Sequence, residues 1–314
     1  MSKRALVVIL GPTAVGKTAY AAHVATALGG EVVGADSRQI YAGMDIGTAK
    51  PTPAERAAVP HHLLDVVTPD CTLTLAEYQR MAYATIDDIH ARGRLPLLVG
   101  GTGQYISAVI EGWGVPAVPP QPALRAELEA FAAQHGPRAL HARLAAVDPV
   151  AAGRIDHRNV RRVVRALEVV SVTGEPISKL QEKQPPPYTV LLVGLTLPRE
   201  ALYARVDARV EAMMEAGLLD EVRALARYGW EAPALSALGY AQLGAHLRGE
   251  CTLAEAVEAV RRETRAFVRR QYTWFRAMRG VRWFDVAQTS PAALARFIRR
   301  WLEGPSKRGR APAR

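Results

Sequence analysis

The sequence is poor in cysteine: Cys71 and Cys251 stand far apart, with no C-x-x-C spacing. That excludes a disulfide framework and a thiolate zinc site, and it fits a reducing cytosol. Long apolar runs are missing too. The first one, residues 5–10, is too short for a signal-peptide core or a membrane span and ends in a glycine-rich turn. The chain therefore reads as soluble and cytoplasmic, with no membrane partner and a monomer expected. Acidic residues are in deficit, 30 Asp and Glu against 40 Lys and Arg, which leaves a formal net charge of +10. Such an excess favours a polyanion, because each neutralised phosphate releases counterions. Nearly every basic residue is Arg, so an arginine-rich genome would give the same balance, and the placement of the charge has to decide.

With 314 residues, 49% of them hydrophobic, the chain can build one large domain or two ordinary ones. Short apolar runs at 5–10, 31–35, 95–99 and 189–197 read as buried strands. Between them, 17–28 and 75–91 carry apolar residues at helical spacing. The alternation predicts an α/β fold, a P-loop NTPase-like parallel sheet with helices on both faces and ligands at the carboxyl ends of the strands. Pro116, Pro119, Pro120 and Pro122, then Pro185, Pro186 and Pro187, bracket a block that reads as helical over 123–183. We expect an inserted helical domain at 118–187, between core parts 1–117 and 188–303. Long Arg-rich helices are expected at 199–228 and 253–278. The basic tail, 304–314, is poor in apolar residues and is expected to be disordered.

Gly11-Pro12-Thr13-Ala14-Val15-Gly16-Lys17-Thr18 fits G-x-x-x-x-G-K-[ST] between an apolar strand and a helix. Glycines let backbone N–H groups turn toward phosphate oxygens, Lys17 adds a positive charge and Thr18 can reach Mg²⁺. The ordinary reading is a nucleotide-binding, ATP-binding kinase or ATPase. Those enzymes usually end a neighbouring strand in Asp or Glu to hold the metal shell. Here the strand at 95–99 runs into Gly100-Gly101-Thr102-Gly103-Gln104-Tyr105, a second glycine-rich loop with a hydroxyl in place of the carboxylate. A diphosphate held there would then be a leaving group. The second strand ends in Asp36-Ser37-Arg38-Gln39. Asp36 either caps the following turn or, if its strand neighbours the P-loop strand, takes a proton from an attacking group in the same crevice.

Two helices carry the basic surplus. Arg158, Arg161, Arg162 and Arg165 share one helix face, with Val160, Val163, Val164 and Leu167 on the other. A face of one sign suits phosphate contact better than plain solvation. Further on, Arg262, Arg265, Arg269, Arg270 and Arg276 interleave with Phe267, Tyr272, Trp274 and Phe275. Cations among aromatics suit a splayed RNA loop, although some of these rings can equally be core.

Together GPTAVGKT at 11–18, GADSRQIYAGMDIGTAKP around Asp36, PHHLLD at 60–65, GGTGQY at 100–105, RRVVRALE at 161–168, Gly239-Tyr240 and RQYTWFR at 270–276 resemble the tRNA dimethylallyltransferase (IPP transferase) family. The resemblance runs in order up to about Trp301. It implies transfer of a dimethylallyl group from dimethylallyl diphosphate to N6 of adenosine 37 in the anticodon loop of tRNA, with Mg²⁺ assisting and diphosphate released. It also implies the roles: Asp36, Thr102 and Lys17 in catalysis, Gly11 through Thr18 with Arg209 on the diphosphate, and Thr18 on the metal. Asp36, Ser37, Arg38, Gln39, Thr102, Arg125, Arg161, Arg162, Val163, Val164, Arg165, Gly239, Tyr240, Arg270, Gln271 and Trp274 would meet the tRNA. His61 and His62 match the family pattern, and packing or capping is expected of them. Two alternatives stay open: an isopentenyltransferase acting on free adenine nucleotides, and a small-molecule P-loop kinase.

Overall fold

From Leu6 to Leu10 every side chain of the first strand is fully buried, which marks a strand covered on both faces in the middle of a parallel sheet. The computed structural model describes residues 4–304. The chain runs β1 (Arg4–Leu10), α1 (Lys17–Leu28), β2 (Gly30–Gly34), α2 (Pro53–Ala58), β3 (His61–His62), α3 (Leu75–Ala91), β4 (Leu95–Gly100) and α4 (Gly103–Glu111). Five helices follow: α5 (Pro122–His135), α6 (Pro137–Val147), α7 (Pro149–Arg154), α8 (Val160–Thr173) and α9 (Ile177–Leu180). The chain then returns through β5 (Tyr188–Thr196), α10 (Arg199–Glu215), α11 (Leu218–Leu225), α12 (Tyr240–Leu247), α13 (Leu253–Ala277), β6 (Arg282–Asp285) and α14 (Pro291–Glu303).

Among the described residues the strands form one six-stranded sheet in the order β3-β2-β4-β1-β5-β6, with every pairing parallel. The expected α/β fold is thus the observed one. Two short edge strands, β3 and β6, carry no apolar run and escaped the sequence pattern. The helices start where local chemistry allows. Thr74 and Thr252 each accept the N–H of a Glu three residues on, and that Glu reaches back to the cap's own N–H, fixing the starts of α3 and α13. The single helix expected over 199–228 is broken at Gly217, whose φ of 95° is left-handed, so α10 and α11 are separate.

The sheet order changes one expectation. β2 does not neighbour β1, because β4 lies between them. The tip of β2 still approaches, through a glycine: a Cβ on Gly100 would stand 1.9 Å from the Ala35 carbonyl oxygen. Only a residue without a side chain lets the ends of β2 and β4 lie so close.

The chain divides into two compact units, one made of Met1–Ser107 with Pro187–Arg314, the other of Ala108–Pro186. The boundary falls inside α4. The second unit is helical, with a core that includes Leu128, Leu140, Leu144, Val163 and Val169. The tail expected at 304–314 lies outside the described residues except for Gly304.

Candidate active site

The loop from Gly11 to Thr18 leaves β1 and opens α1 as the spacing predicts. Ala14 (φ 64°) and Gly16 (φ 100°) turn the backbone into left-handed geometry, and Gly16 caps α1 without any side-chain hydrogen bond. The first amides of the helix are left for an anion. Lys17 Nζ donates to the carbonyls of Gly11 (3.0 Å) and Pro12 (2.8 Å). Burial brings the Lys17 ammonium down to about 8; the Asp36 carboxylate opposes that shift and the Arg209 cation adds to it. Burial likewise lowers Arg209, again opposed by Asp36. These three charges therefore sense one another at the carboxyl end of the sheet.

Asp36 does two things at once. Its Oδ1 accepts the N–H of Arg38 (2.9 Å) and of Gln39 (3.4 Å), which is the turn-capping role. The second oxygen has no hydrogen-bond partner among the described residues, and the residue lines two cavities. The larger, of about 340 Å³, counts Thr13, Ser37, Arg38, Thr102, Arg209 and Arg270 among its polar lining residues. Val206, Val210, Met213, Leu218, Val260 and Phe267 make its apolar side. The smaller, of about 40 Å³, joins Asp36 to Lys17, Thr18 and Gly100. Thr102 Oγ1 accepts the Ser37 N–H at 2.9 Å, and the Thr102 N–H donates to the Ala35 carbonyl at 3.1 Å. The second glycine loop is thereby fastened to the Asp36 loop.

α13 fastens it to the P-loop. Gln271, 6% exposed, accepts the Thr13 N–H on Oε1 and donates through Nε2 to the Gly101 carbonyl, both at 2.9 Å. A Cβ on Gly101 would stand 2.5 Å from that Nε2, and one on Gly103 would stand 2.3 Å from the Trp274 ring.

A phosphate cradle, a carboxylate and an apolar wall around one cavity narrow the comparison with known proteins. Residues 39–278 match the family model described as IPP transferase. The tRNA dimethylallyltransferase of Roseiflexus sp. (strain RS-1) is 54% identical over 95% of this chain and 99% of its own. The chain belongs to the IPP transferase family. Two solved structures agree. The tRNA isopentenylpyrophosphate transferase of Bacillus halodurans is 42% identical, with a TM-score of 0.73 over 97% of this chain and 99% of that one. A eukaryotic dimethylallyltransferase, described as acting on tRNA, is 27% identical, with a TM-score of 0.81 over 94% of this chain and 78% of that one. The match of the family model begins at Gln39, so the P-loop and Asp36 lie ahead of it.

Several residues given RNA contacts by family resemblance are otherwise engaged. Val163 and Val164, 0% and 3% exposed, are core of the second unit, because the apolar face of α8 is what that unit packs on; their side chains cannot meet RNA. Arg125 and Arg165 both bind the fully buried Glu168: Arg125 Nε reaches Oε1 at 2.7 Å and Arg165 Nη1 reaches Oε2 at 2.6 Å. Burial raises the Glu168 carboxyl, but Arg125, Arg165 and the Gln121 N–H outweigh it and bring the group down to about 2. Arg158 lies ahead of α8, which is capped by Asn159, and pairs with Asp156, so it does not share the helix face with Arg161, Arg162 and Arg165 as expected. Arg161 and Arg162 are exposed and have no acidic partner among the described residues. Gln271 has both ends of its amide occupied, and Tyr240, 1% exposed, donates its hydroxyl to Glu221. Gly239, Ser37, Arg38 and Arg270 line the large cavity. Gln39 Nε2 donates to the carbonyls of Thr48 and Ala49. Arg265 pairs with Asp207, while Arg269 and Arg270 are exposed and Trp274 is 37% exposed.

His61 and His62 line the small cavity beside Asp36, Lys17 and Thr18, yet each is held by a neighbour of its own. His61 Nδ1 meets the Val59 carbonyl at 2.7 Å, and His62 Nε2 meets Glu31 Oε2 at 2.7 Å, both on the edge strand β3. Sequence reading missed the apolar wall from α10, α11 and α13, whose residues look like ordinary helix core. It also missed Glu221, which sits in no motif.

Proposed function

We propose that this chain transfers the dimethylallyl group of dimethylallyl diphosphate to N6 of adenosine 37 in the anticodon loop of tRNA, releasing diphosphate. The observation that carries the reading is Asp36 in the wall of the cavity that also holds Thr13 and Arg209, opposite an apolar side with room for a short prenyl chain. The relatives' names give the same reaction class.

The amino group of adenine is a poor nucleophile, because its lone pair is delocalised into the ring. The allylic carbon compensates, since positive charge developing on it is shared over the allyl system. N6 forms a bond to C1 of the dimethylallyl group, the C1–O bond breaks, and the diphosphate leaves with the electron pair. The unengaged oxygen of Asp36 takes the proton that N6 loses. The chain's main task is then to stabilise charge on the departing diphosphate. P-loop amides, Lys17, Arg209 and the Thr102 hydroxyl are the donors assigned to it, and preorganised donors of this kind are worth roughly 3–4 kcal/mol each. Val206, Val210 and Met213 exclude water from the prenyl chain.

Thr18 and Asp36 bring two oxygen-bearing side chains to the small cavity, and Mg²⁺ takes few protein ligands beside phosphate oxygens and water. Bound on the Thr18 hydroxyl, it would neutralise charge on the leaving diphosphate.

Exposed Arg269 and Arg270 on α13, with Arg161 and Arg162 on α8, give an RNA backbone something to hold that a mononucleotide lacks. An anticodon stem-loop and AMP offered together with labelled dimethylallyl diphosphate test this. Label is expected in the RNA, and equal catalytic efficiency on both acceptors would favour the free-nucleotide enzyme instead.

A further inference from the structure

Glu221 lies in the first turn of α11, outside every motif above, and the transfer step gives it no task. Its carboxylate is nevertheless the meeting point of four donors. Oε2 accepts the N–H of Asp45 (2.9 Å) and Ile46 (2.8 Å), while Oε1 accepts the N–H of Gly47 (3.1 Å) and the Tyr240 hydroxyl (2.6 Å). Consecutive backbone N–H groups turned to one point make an anion-binding concavity. Only an ionised carboxylate offers acceptors on both of its atoms; an amide would turn an NH₂ group toward donors. Burial, with the Glu221 charge beside it, pushes the Tyr240 hydroxyl well above its ordinary range, so the group stays an O–H donor.

The segment so held is a wall of the large cavity. Gly47, Thr48 and Tyr240 line it together with Asp36. Gly47 admits the Tyr240 ring, because a Cβ there would stand 2.6 Å from ring carbons and hydroxyl alike. The wall continues to Asp36 through Gln39, whose amide donates to the Thr48 and Ala49 carbonyls at 3.0 and 3.2 Å. Lys50 ties the far side of the loop, donating to Tyr41 O and Asp45 Oδ1 at 2.7 Å each. The P-loop, by contrast, makes no hydrogen bond with Glu221 or with residues 45–48 among the described residues.

We propose that Glu221 is a positioning residue for the acceptor side of the site, holding residues 45–48 and Tyr240 so that the nucleobase meets Asp36 in register. This rests on the transfer reading given above. The side chain touches neither reacting atom and acts through the wall alone. Its loss is therefore felt by the acceptor and not by the diphosphate donor.

The test uses full-length protein carrying Glu221→Gln, with Tyr240→Phe as the milder companion that keeps the carboxylate and three of its four donors. Hydrogen exchange of the amides at 45–47 reads the clamp itself, independently of turnover. Steady-state transfer to an anticodon stem-loop and calorimetric binding of dimethylallyl diphosphate read its effect on each side. For Glu221→Gln the amides are expected to lose protection, kcat/KM for the stem-loop to fall about 10–100-fold, and donor affinity to stay within about twofold; a misplacement of about 1 Å can cost about 10²-fold. Tyr240→Phe is expected to lie between this variant and the wild type. Protected amides, unchanged transfer despite exposed amides, or equal weakening of donor and acceptor would each overturn the proposal. Failure of the wild-type protein to modify the stem-loop overturns the transfer reading, and this proposal with it; normal wild-type transfer beside an unaffected Glu221→Gln overturns the proposal alone.

Discussion

At the scale of single residues, Asp36 and Lys17 carry claims that can be separated from stability. Asp36 both caps a turn through Oδ1 and offers a second oxygen to the cavity, so removing it entirely confounds two effects. Asp36→Asn keeps an acceptor for the Arg38 N–H and loses only the basic oxygen. Its single-turnover rate is expected to drop by roughly 10²–10⁴-fold, the span usual for loss of a general base, with melting temperature and donor affinity nearly unchanged. An unchanged rate would leave Asp36 a turn cap. For Lys17 the consequence is a pH dependence. With its ammonium lowered to about 8 by burial, the protonated form that attracts diphosphate is depleted as pH rises above that value. Affinity for dimethylallyl diphosphate is expected to be level below about pH 7, to have fallen about twofold by pH 8 and to weaken toward tenfold per pH unit above it, with proton uptake on binding. Calorimetry in buffers of different ionisation heat measures both, and a level profile to pH 9.5 would contradict the assignment. The sign for stability is the reverse. Between about 8 and the ordinary 10.5 the folded chain binds fewer protons at Lys17 than the unfolded one, so this group adds stability as pH rises.

Among the elements, α13 decides how the two glycine-rich loops are spaced. Gln271 bridges Thr13 and Gly101, and it needs a donor at one end and an acceptor at the other. Gln271→Glu keeps the acceptor for Thr13 but faces the Gly101 carbonyl with a second acceptor in a buried place. It is expected to weaken donor binding and transfer together by about 10-fold or more, while Trp274→Ala alters chiefly the acceptor side. Donor binding at wild-type strength in folded Gln271→Glu protein would show that the loops keep their spacing unaided. Much of this layer was legible beforehand. Strands with continuous apolar runs, such as Leu6–Leu10 and Leu97–Val99, announce themselves, and α1 and α3 follow their spacing residue for residue. What escaped has physical causes. β3 and β6 take their strand geometry from a neighbour and have no pattern of their own. Gln271 and Tyr240 share a motif with surface residues yet point inward. The face of Arg residues on α8 could not show that Arg165 turns to Glu168, since both charges sit in one helical turn of sequence whether paired or free.

For the whole molecule, the candidate site is assembled by topology more than by any single motif. β1, β4 and β2 bring the P-loop, Thr102 and Asp36 to one end of the sheet, and the break at Gly217 turns α11 so that Leu218 and Glu221 serve the same cavity. The order in which these pieces appear in the chain is what the family resemblance read; their adjacency is what the fold supplies. Among the described residues no helix is long and apolar enough to cross a membrane. The second unit adds its own pH signature through Glu168. That carboxylate, brought down to about 2, contributes stability that is full above its ordinary 4.5 and is lost as pH falls toward 2. The central claim, that the chain prenylates a tRNA adenosine, is tested most directly by nucleoside analysis. Unmodified tRNA is incubated with the protein, dimethylallyl diphosphate and Mg²⁺, digested, and its nucleosides weighed by mass spectrometry. The account predicts that one adenosine, the one 3′ to the anticodon, appears as N6-dimethylallyl adenosine. Digests in which every adenosine is unmodified, or in which the group sits elsewhere than on N6, would contradict it.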